Sequence, residues 1–283
     1  MNLVKTSKEL GEILAPIRSA SSLIGFVPTM GALHNGHISL IKKALSENEV
    51  VICSIFVNPT QFNDPSDLEK YPKPIEKDIE LLTKAGCHYL FLPEASDIYA
   101  DGAEWSHSFG KLEQLWEGAM RPGHFKGVGQ VVYKLFNLVL PNHTYFGQKD
   151  YQQTLIIQKL IDDFKLPIQL HVCPVVREEN GLAMSSRNMR LPAQVRLSAG
   201  RIFQTLQFSK ELVNTGEKDI QKIIAVARLK LEELSGSQIE YIAIVEPKSL
   251  EAFEQLPENG PILMIIAIKV AGTRLIDNMF LRS

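Results

Sequence analysis

Short apolar runs alternate with stretches of helical spacing over more than half of the chain, and this alternation restricts the fold more than any other feature. The run at 23–27 (LIGFV) suits a buried strand, and Ile38, Ile41 and Leu45 then recur at helical spacing. The run at 50–57 (VVICSIFV) is rich in β-branched residues and apolar except for Ser54, which is typical of a central parallel strand covered on both faces. Two such strands joined by a helix form a right-handed βαβ unit.

The same rhythm continues as far as residue 176. Helices are predicted near 75–82, 128–138 and 155–164, and strands at 88–92, 144–146 and 168–176. A polar, proline-rich segment at 58–74 is predicted to be a long loop. This order predicts an α/β fold with a doubly wound parallel sheet, similar to a Rossmann fold.

The pattern changes beyond residue 176. Long helical patterns at 192–213 and 218–234 precede three strands with short links, at 239–245, 262–270 and 273–277. Strands that follow one another directly indicate an antiparallel sheet. We therefore predict a Rossmann-like domain at 1–176 and a smaller α+β domain at 177–283.

Composition and charge exclude several classes of protein. The 283 residues carry 30 Lys and Arg against 32 Asp and Glu, so a globally basic nucleic-acid-binding protein is not expected. No signal peptide is recognisable, and the longest apolar run, 262–268, is far shorter than the roughly 20 residues of a spanning helix. Cys53, Cys87 and Cys173 form no CxxC pair, which argues against disulfides and thiolate zinc sites and favours the cytoplasm.

The strongest candidate site follows the strand predicted at 23–27, in the segment PTMGALHNGH at 28–37. Gly31 and Gly36 allow close approach of the backbone to a ligand, and the helix start offers free N–H groups that suit phosphate. His34 and His37 share a helical face, where both can donate hydrogen bonds to phosphate oxygens. A metal site is disfavoured because no third ligand has suitable spacing. The remaining alternative is one surface and one capping histidine.

Two further segments combine groups that suit phosphate, ribose or a small polar substrate. In 146–153 (FGQKDYQQ), Lys149 is a compact cation, Asp150 suits a ribose hydroxyl or a helix cap, and Gln153 can donate and accept. In 181–188 (GLAMSSRN), two serines and an arginine form a donor cluster, although one serine could simply cap a helix. A serine nucleophile is disfavoured because no G-x-S-x-G motif surrounds them.

Weaker signals come from Gln61, which suits a hydroxyl or carboxylate, and from Arg121, which suits an anion. Either residue could equally belong to an ordinary loop. The chain has no P-loop and no G-x-G-x-x-G motif, which disfavours P-loop NTPases and dinucleotide oxidoreductases.

The order of these segments along the chain is similar to that of known protein families. An H-x-G-H loop followed later by Met-Ser-Ser-Arg is similar to the nucleotidyl-transferase superfamily, which includes class I aminoacyl-tRNA synthetases. The set as a whole resembles the pantoate–β-alanine ligase family over essentially the full length. Its segments here are VPTMGALHNGHISL, SIFVNPTQF, RPGHFKGV, KLFNLVLP, FGQKDYQQ and NGLAMSSRN.

The resemblance implies a two-step ligase reaction. ATP and pantoate would form pantoyl adenylate and pyrophosphate, and β-alanine would then attack the adenylate to give pantothenate and AMP. Domain 1–176 would bind ATP and pantoate, 177–283 would act as a lid, and 58–74 would be a mobile gate that excludes water. Mg²⁺ would arrive with ATP without dedicated protein ligands, and the protein would be a homodimer.

The resemblance also implies roles for single residues. Those implied as catalytic are His34, His37, Lys149, Ser185 and Arg187. Further ATP-binding positions are Met30, Gly147, Asp150, Val176, Met184 and Ser186. Gln61 and Gln153 would hold pantoate through its hydroxyls and carboxylate.

Two other functions remain open from the sequence. One is a nucleotidyltransferase that leaves AMP on its product, which product analysis would distinguish because the ligase releases free AMP. The other is a nucleotide- or RNA-binding module related to tRNA synthetases. The formal net charge of −2 and the lack of a basic arm argue against RNA binding.

Overall fold

The computed structural model describes residues 1–62, 68–69, 71–100, 102 and 105–283. They form two compact units, one of Met1–Gly147 with Gln152–Cys173 and one of Gln148–Tyr151 with Pro174–Ser283. The sequence pattern places one boundary after residue 176, whereas the structure also assigns the short segment Gln148–Tyr151 to the second unit.

The first unit contains a six-stranded sheet in which all neighbouring strands are parallel. Its strands are β1 (Asn2–Val4), β2 (Ile24–Thr29), β3 (Val50–Ile55), β4 (Tyr89–Phe91), β5 (His143–Gly147) and β6 (Gln169–Cys173), in the order β1-β4-β3-β2-β5-β6. The chain leaves β2 towards β3 on one side and later returns to β5 on the other. Ligands of open parallel sheets bind beyond the carboxyl ends of the strands at such a reversal.

Helices cover both faces of this sheet, as a doubly wound fold requires. They are α1 (Ser7–Ser19), α2 (Asn35–Leu45), α3 (Ile75–Ala85), α4 (Ala95–Ile98), α5 (Trp116–Met120), α6 (His124–Val139) and α7 (Tyr151–Asp163). Phe26 packs in the core that contains Phe136 of α6, whereas the next residue, Val27, packs with Ile41 of α2 and Leu82 of α3. Successive strand residues face opposite sides, so β2 is buried on both faces. The predicted α/β class is confirmed.

The second unit combines three helices with a three-stranded antiparallel sheet. Its elements are α8 (Ala193–Ser198), α9 (Arg201–Asn214), α10 (Ile220–Glu232), β7 (Ser237–Val245), β8 (Ile262–Val270) and β9 (Thr273–Arg282). The strands pair in the order β7-β8-β9, which agrees with the antiparallel sheet expected from the sequence.

The single helix predicted at 192–213 is wrong, because the chain breaks between α8 and α9. The side-chain amide of Asn180 donates to the backbone oxygens of Arg196 and Leu197, at 2.8 and 3.0 Å, and so satisfies carbonyls at the end of α8. Gly200 follows, and a Cβ at this position would lie 2.2 Å from the backbone oxygen of Asn180. Both the side chain and the backbone of a distant residue therefore end the helix.

The first two elements, β1 and α1, were not predicted. β1 is three residues long and pairs with β4, so its existence depends on a partner far along the chain. α1 begins after Thr6, whose hydroxyl accepts from the backbone N–H of Glu9, and this Thr-x-x-Glu spacing was a usable signal for a helix start. Among the described residues, every helix falls short of the length and apolar character that a membrane crossing demands.

Candidate active site

The two histidines of the 28–37 segment cap the helix that follows β2. His34 is the N-cap of α2, and its Nδ1 accepts a hydrogen bond from the N–H of Gly36 at 3.1 Å. In return, Nδ1 of His37 accepts from the N–H of His34 at 3.3 Å. The prediction that the helix start offers free N–H groups is wrong for these two groups, because the imidazoles occupy them.

This capping fixes the proton on each imidazole. A ring nitrogen that accepts a hydrogen bond has no proton, so the neutral ring of His34 or His37 carries its proton on Nε2. The ring centroids are 4.1 Å apart, beside the positive end of the α2 dipole, and two imidazolium charges there would repel each other. Each neutral ring can therefore donate a hydrogen bond through its Nε2–H group.

A buried carboxylate holds the turn that leads to His34. Asp78 of α3 is 0% exposed, and its two oxygens accept from the N–H groups of Ala32 at 2.8 Å and Leu33 at 2.7 Å. Gly31 and Ala32 have φ values of 80° and 49°, so the turn is left-handed at two successive residues. Burial raises the pKa of Asp78, and the two N–H bonds act in the opposite direction.

Asp78 was missed by the sequence reasoning, although the sequence contains a signal for it. Ile75, Ile79 and Leu82 define the apolar face of α3, and Asp78 lies on that same face at helical spacing. A charged residue on a buried face needs partners, and here they are backbone N–H groups of the loop after β2.

Gln61 lies next to Met30, and the two residues follow the neighbouring strands β3 and β2. Its Nε2 lies 2.9 Å from Sδ of Met30, and the side chain is buried. Nδ2 of Asn58 donates to Oε1 of Gln61 at 3.3 Å, and the hydroxyl of Tyr99 donates to Oδ1 of Asn58 at 2.7 Å. This chain of hydrogen bonds sets the orientation of the Gln61 amide. Of the predicted gate at 58–74, residues 63–67 and 70 lie outside the described part of the chain.

His124 supports the backbone of Gln61. Nδ1 of His124 donates to the backbone oxygen of Gln61 at 2.9 Å, and its Nε2 accepts from Arg121 at 3.1 Å. Arg121, which the sequence placed near an anion, thus has a histidine as one of its partners. His124 was part of a quoted motif but had no predicted role.

The remaining predicted residues of the first unit are Gly147, which ends β5, and Gln153, which lies half-buried in the first turn of α7. The preceding residue, Gln152, is fully engaged: it accepts from the N–H of Glu117 and donates to the backbone oxygens of Leu112 and Leu115. Gln152 therefore has a structural role, and the sequence motif alone does not distinguish it from the adjacent Gln153.

In the second unit, Lys149 and Asp150 lie in a 3₁₀ turn, with Nζ of Lys149 at 3.3 Å from Oδ1 of Asp150. Ser185 is the N-cap of a 3₁₀ helix at Ser186–Arg190, and its hydroxyl accepts from the N–H of Arg187 at 3.2 Å. The alternative that a serine of this segment caps a helix thus applies to Ser185.

The second unit also brings Val176 and Met184 together. The N–H of Met184 donates to the backbone oxygen of Val176 at 2.9 Å, which closes the segment before Ser185 into a hairpin-like loop. The predicted residues are thus shared between the two units. Within the described residues, no group of three or more His, Cys, Asp or Glu side chains could hold a metal ion.

Comparison with known proteins identifies the family. The family model described as pantoate–β-alanine ligase matches residues 2–280. The chain belongs to the pantoate–β-alanine ligase family. A relative named pantothenate synthetase from Pseudomonas paraeruginosa is 45% identical over 99% of this chain and 98% of its own length. Another of the same name, from Cytophaga hutchinsonii, is 44% identical over 94% of each chain.

Solved structures of pantoate–β-alanine ligases have the same fold. The pantothenate synthetase of Thermus thermophilus matches with a TM-score of 0.93 and 38% identity over 100% of both chains. The ligase of Francisella tularensis, described as complexed with β,γ-ATP and β-alanine, matches with a TM-score of 0.80 and 36% identity over 100% of this chain and 98% of that one. The predicted family is confirmed.

Proposed function

We propose that this member of the pantoate–β-alanine ligase family condenses pantoate with β-alanine at the expense of ATP, through a pantoyl-adenylate intermediate. A pantoate carboxylate oxygen attacks the α-phosphorus of ATP, and the bond to pyrophosphate breaks. The amine of β-alanine then attacks the acyl carbon, the bond to AMP breaks, and the nitrogen loses a proton. The observation that carries the proposal is the capped histidine pair at the carboxyl end of β2, on a chain whose relatives are named for this reaction.

The histidine pair supports a role in the first step. Two neutral Nε2–H groups on one helix turn can donate to the oxygens of the departing pyrophosphate as its charge develops. Lys149, in the second unit, is proposed as a compact cation for the phosphates of ATP. Met30 is proposed to contact ATP in the same step. It lies next to Gln61, which is proposed below to bind the pantoate that attacks ATP.

The pantoate assignment is supported by the preset orientation of Gln61. Because Asn58 occupies Oε1, the Nε2 donor of Gln61 remains on the side of Met30, where it can bind a carboxylate or hydroxyl of the acid. Gln153, in the first turn of α7, is proposed as the second pantoate ligand.

The nucleotide assignments concern both units. Gly147, Asp150, Val176, Met184, Ser185, Ser186 and Arg187 are proposed to contact the ribose, adenine and phosphates of ATP. In support, Ser185 and Arg187 share one turn and Val176 is bonded to Met184. Mg²⁺ is proposed to arrive on the ATP phosphates, which suits a cation that retains most of its water. A cytoplasmic homodimer whose second unit acts as a lid completes the proposal.

The test is isotope exchange between pyrophosphate and ATP. Protein, ATP, Mg²⁺ and labelled pyrophosphate are mixed with and without pantoate, in the absence of β-alanine. We expect label in ATP only when pantoate is present, followed by release of AMP and pantothenate once β-alanine is added. If the protein binds ATP but catalyses no pantoate-dependent exchange, the proposed adenylation is wrong. AMP retained on the product would indicate a nucleotidyltransferase instead.

A variant isolates the role of the histidine donor. His34→Asn keeps an oxygen that can cap the N–H of Gly36 but removes the Nε2–H donor. We expect exchange to fall on the order of 10²-fold with little change in melting temperature. His107→Ala is the matched control, since this imidazole is paired with Asp163 and has no proposed role. Equal activity of both variants would contradict the phosphate role of His34.

A further inference from the structure

Two consecutive polar residues of β9 are buried in the second unit. Asp277 is 4% exposed and Asn278 is 3% exposed, whereas Leu275 and Leu281, two other buried residues of this strand, are apolar. Neighbouring residues of a strand face opposite sides of the sheet. Burying polar groups costs free energy unless they are hydrogen-bonded, so the partners of these two side chains show what they do.

Asn278 holds the turn that contains Lys149. Its Nδ2 donates to the backbone oxygens of Gln148 at 2.9 Å and Lys149 at 3.0 Å. Its Oδ1 accepts from the side-chain amide of Gln148 at 3.2 Å. Both N–H groups and the oxygen of one amide therefore bind the turn, and a carboxylate could not replace it because two carbonyl oxygens require donors.

Asp277 holds the second segment through an arginine. Its carboxylate forms two hydrogen bonds with the guanidinium of Arg177, at 2.6 and 3.0 Å. Arg177 also donates to the backbone oxygen of Gly181 at 3.1 Å and lies over the ring of Phe203 at 4.0 Å. The position of the loop that leads to Ser185 thus depends on Asp277.

We infer that Asp277 and Asn278 are positioning residues for adenylate formation. Asn278 sets the backbone from which Lys149 projects, and Asp277, through Arg177, sets the loop that carries Ser185 and Arg187. Strand β9 therefore holds both segments of the second unit that are assigned to ATP, the turn with Lys149 from one face of the sheet and the loop with Ser185 from the other. This inference rests on the proposed function, because it assumes that Lys149, Ser185 and Arg187 bind ATP.

The test compares the two half-reactions in Asn278→Ala. We expect kcat/KM for ATP in pyrophosphate exchange to fall on the order of 10²-fold, since a shift of about 1 Å in a catalytic group has that effect. The KM for pantoate and the reaction of supplied pantoyl adenylate with β-alanine should change far less. Asn137→Ala is the matched control, since the Asn137 amide also donates to a backbone oxygen, that of Tyr133, but on an exposed helix face.

A milder variant guards against a folding defect. Gln148→Ala removes only the hydrogen bond to Oδ1 of Asn278 and leaves β9 intact, so we expect a smaller loss in the same direction. The affinity of each variant for a non-hydrolysable ATP analogue, measured by calorimetry, should fall in parallel.

Four outcomes would be decisive. If the natural protein shows no pantoate-dependent exchange, the proposed function fails rather than this inference. If the natural protein is active and Asn278→Ala lowers only the melting temperature, with ATP kinetics per folded molecule unchanged, Asn278 is purely structural and the inference is overturned. Unchanged ATP kinetics in a folded Gln148→Ala variant would count against it as well, whereas a selective loss in ATP kinetics supports it.

Discussion

Several polar side chains of this protein hold the backbone at the same position where they are proposed to face substrate. His34 and Ser185 each accept a hydrogen bond from the N–H group two residues further on, at Gly36 and Arg187. Replacing either residue with alanine would remove a cap and a substrate contact together. Variants that keep the acceptor are needed to separate these two effects.

At the scale of single residues, Asp78 provides a testable prediction. In Asp78→Asn, one oxygen can still accept from the loop, but the new NH₂ group faces the other backbone N–H. We expect a loss of about 1–3 kcal/mol in the free energy of unfolding, because a buried donor loses its acceptor. Pyrophosphate exchange should fall as well, since one hydrogen bond instead of two then holds the turn before His34. Urea denaturation and exchange assays measure the two effects.

The control for this substitution is Asp219→Asn in the second unit. Asp219 caps α10 with a single oxygen, which accepts from the N–H of Lys222 at 3.1 Å. Asparagine caps helices as well as aspartate, so stability and exchange should remain close to those of the natural protein. Equal losses in the two variants would show that the buried position of Asp78 has no special role.

Among the elements, helix α6 closely approaches the turn after β3. Gly127 of α6 has no side chain, and a Cβ there would lie 2.5 Å from the backbone oxygen of Thr60 and 2.8 Å from the nitrogen of Gln61. The backbone oxygen of Gly127 also accepts from Asn58 at 3.1 Å. Helix α6 therefore sets the position of the turn that carries Gln61.

Gly127→Ala should consequently displace this turn. Overpacking of this kind costs about 1–3 kcal/mol, and we expect the KM for pantoate to rise more than the KM for ATP. Gly11→Ala is the matched control in helix α1, where a Cβ would meet nothing within 4 Å. That substitution should stabilise the protein by about 0.5–1 kcal/mol, because alanine favours the helix. Steady-state kinetics and thermal unfolding test both variants, and equal pantoate KM values would contradict the packing argument.

At the scale of the whole molecule, each unit has a hydrophobic core of its own, and all three cysteines belong to the first. Cys53, Cys87 and Cys173 are buried, and burial raises the pKa of each thiol, to about 11 for Cys87. The thiolate is the reactive form, so the folded protein should be protected twice, by lack of access and by lack of ionisation.

Thiol reactivity should therefore report on the opening of the first unit. With an aromatic disulfide reagent at pH 8, the native protein should react far more slowly than a free cysteine, and the rate should rise exponentially with urea. Fully denatured protein should release three equivalents, which serves as the control. A cysteine that reacts at the free rate in native protein would contradict its buried position.

Much of the fold could be predicted because its signals are local. Residues 50–57 form a run that is apolar except for Ser54, and the observed strand Val50–Ile55 lies within it. The helix predicted near 75–82 is also present, and Gly86 ends it with φ at 83°, a left-handed conformation that glycine favours. β1 and the break between α8 and α9 were missed, because each depends on a partner distant in sequence.

By itself, the sequence determined the alternating α/β class, the antiparallel C-terminal sheet and the family, since periodicity and motif order are properties of neighbouring residues. Only the tertiary structure decided which polar groups hold the candidate site. Asp78 binds the turn at Ala32, and Asn278 binds the turn at Lys149, across 46 and 129 positions of the chain. Hydrogen bonds act over about 3 Å, so their partners are chosen by packing and leave no periodic trace in the sequence.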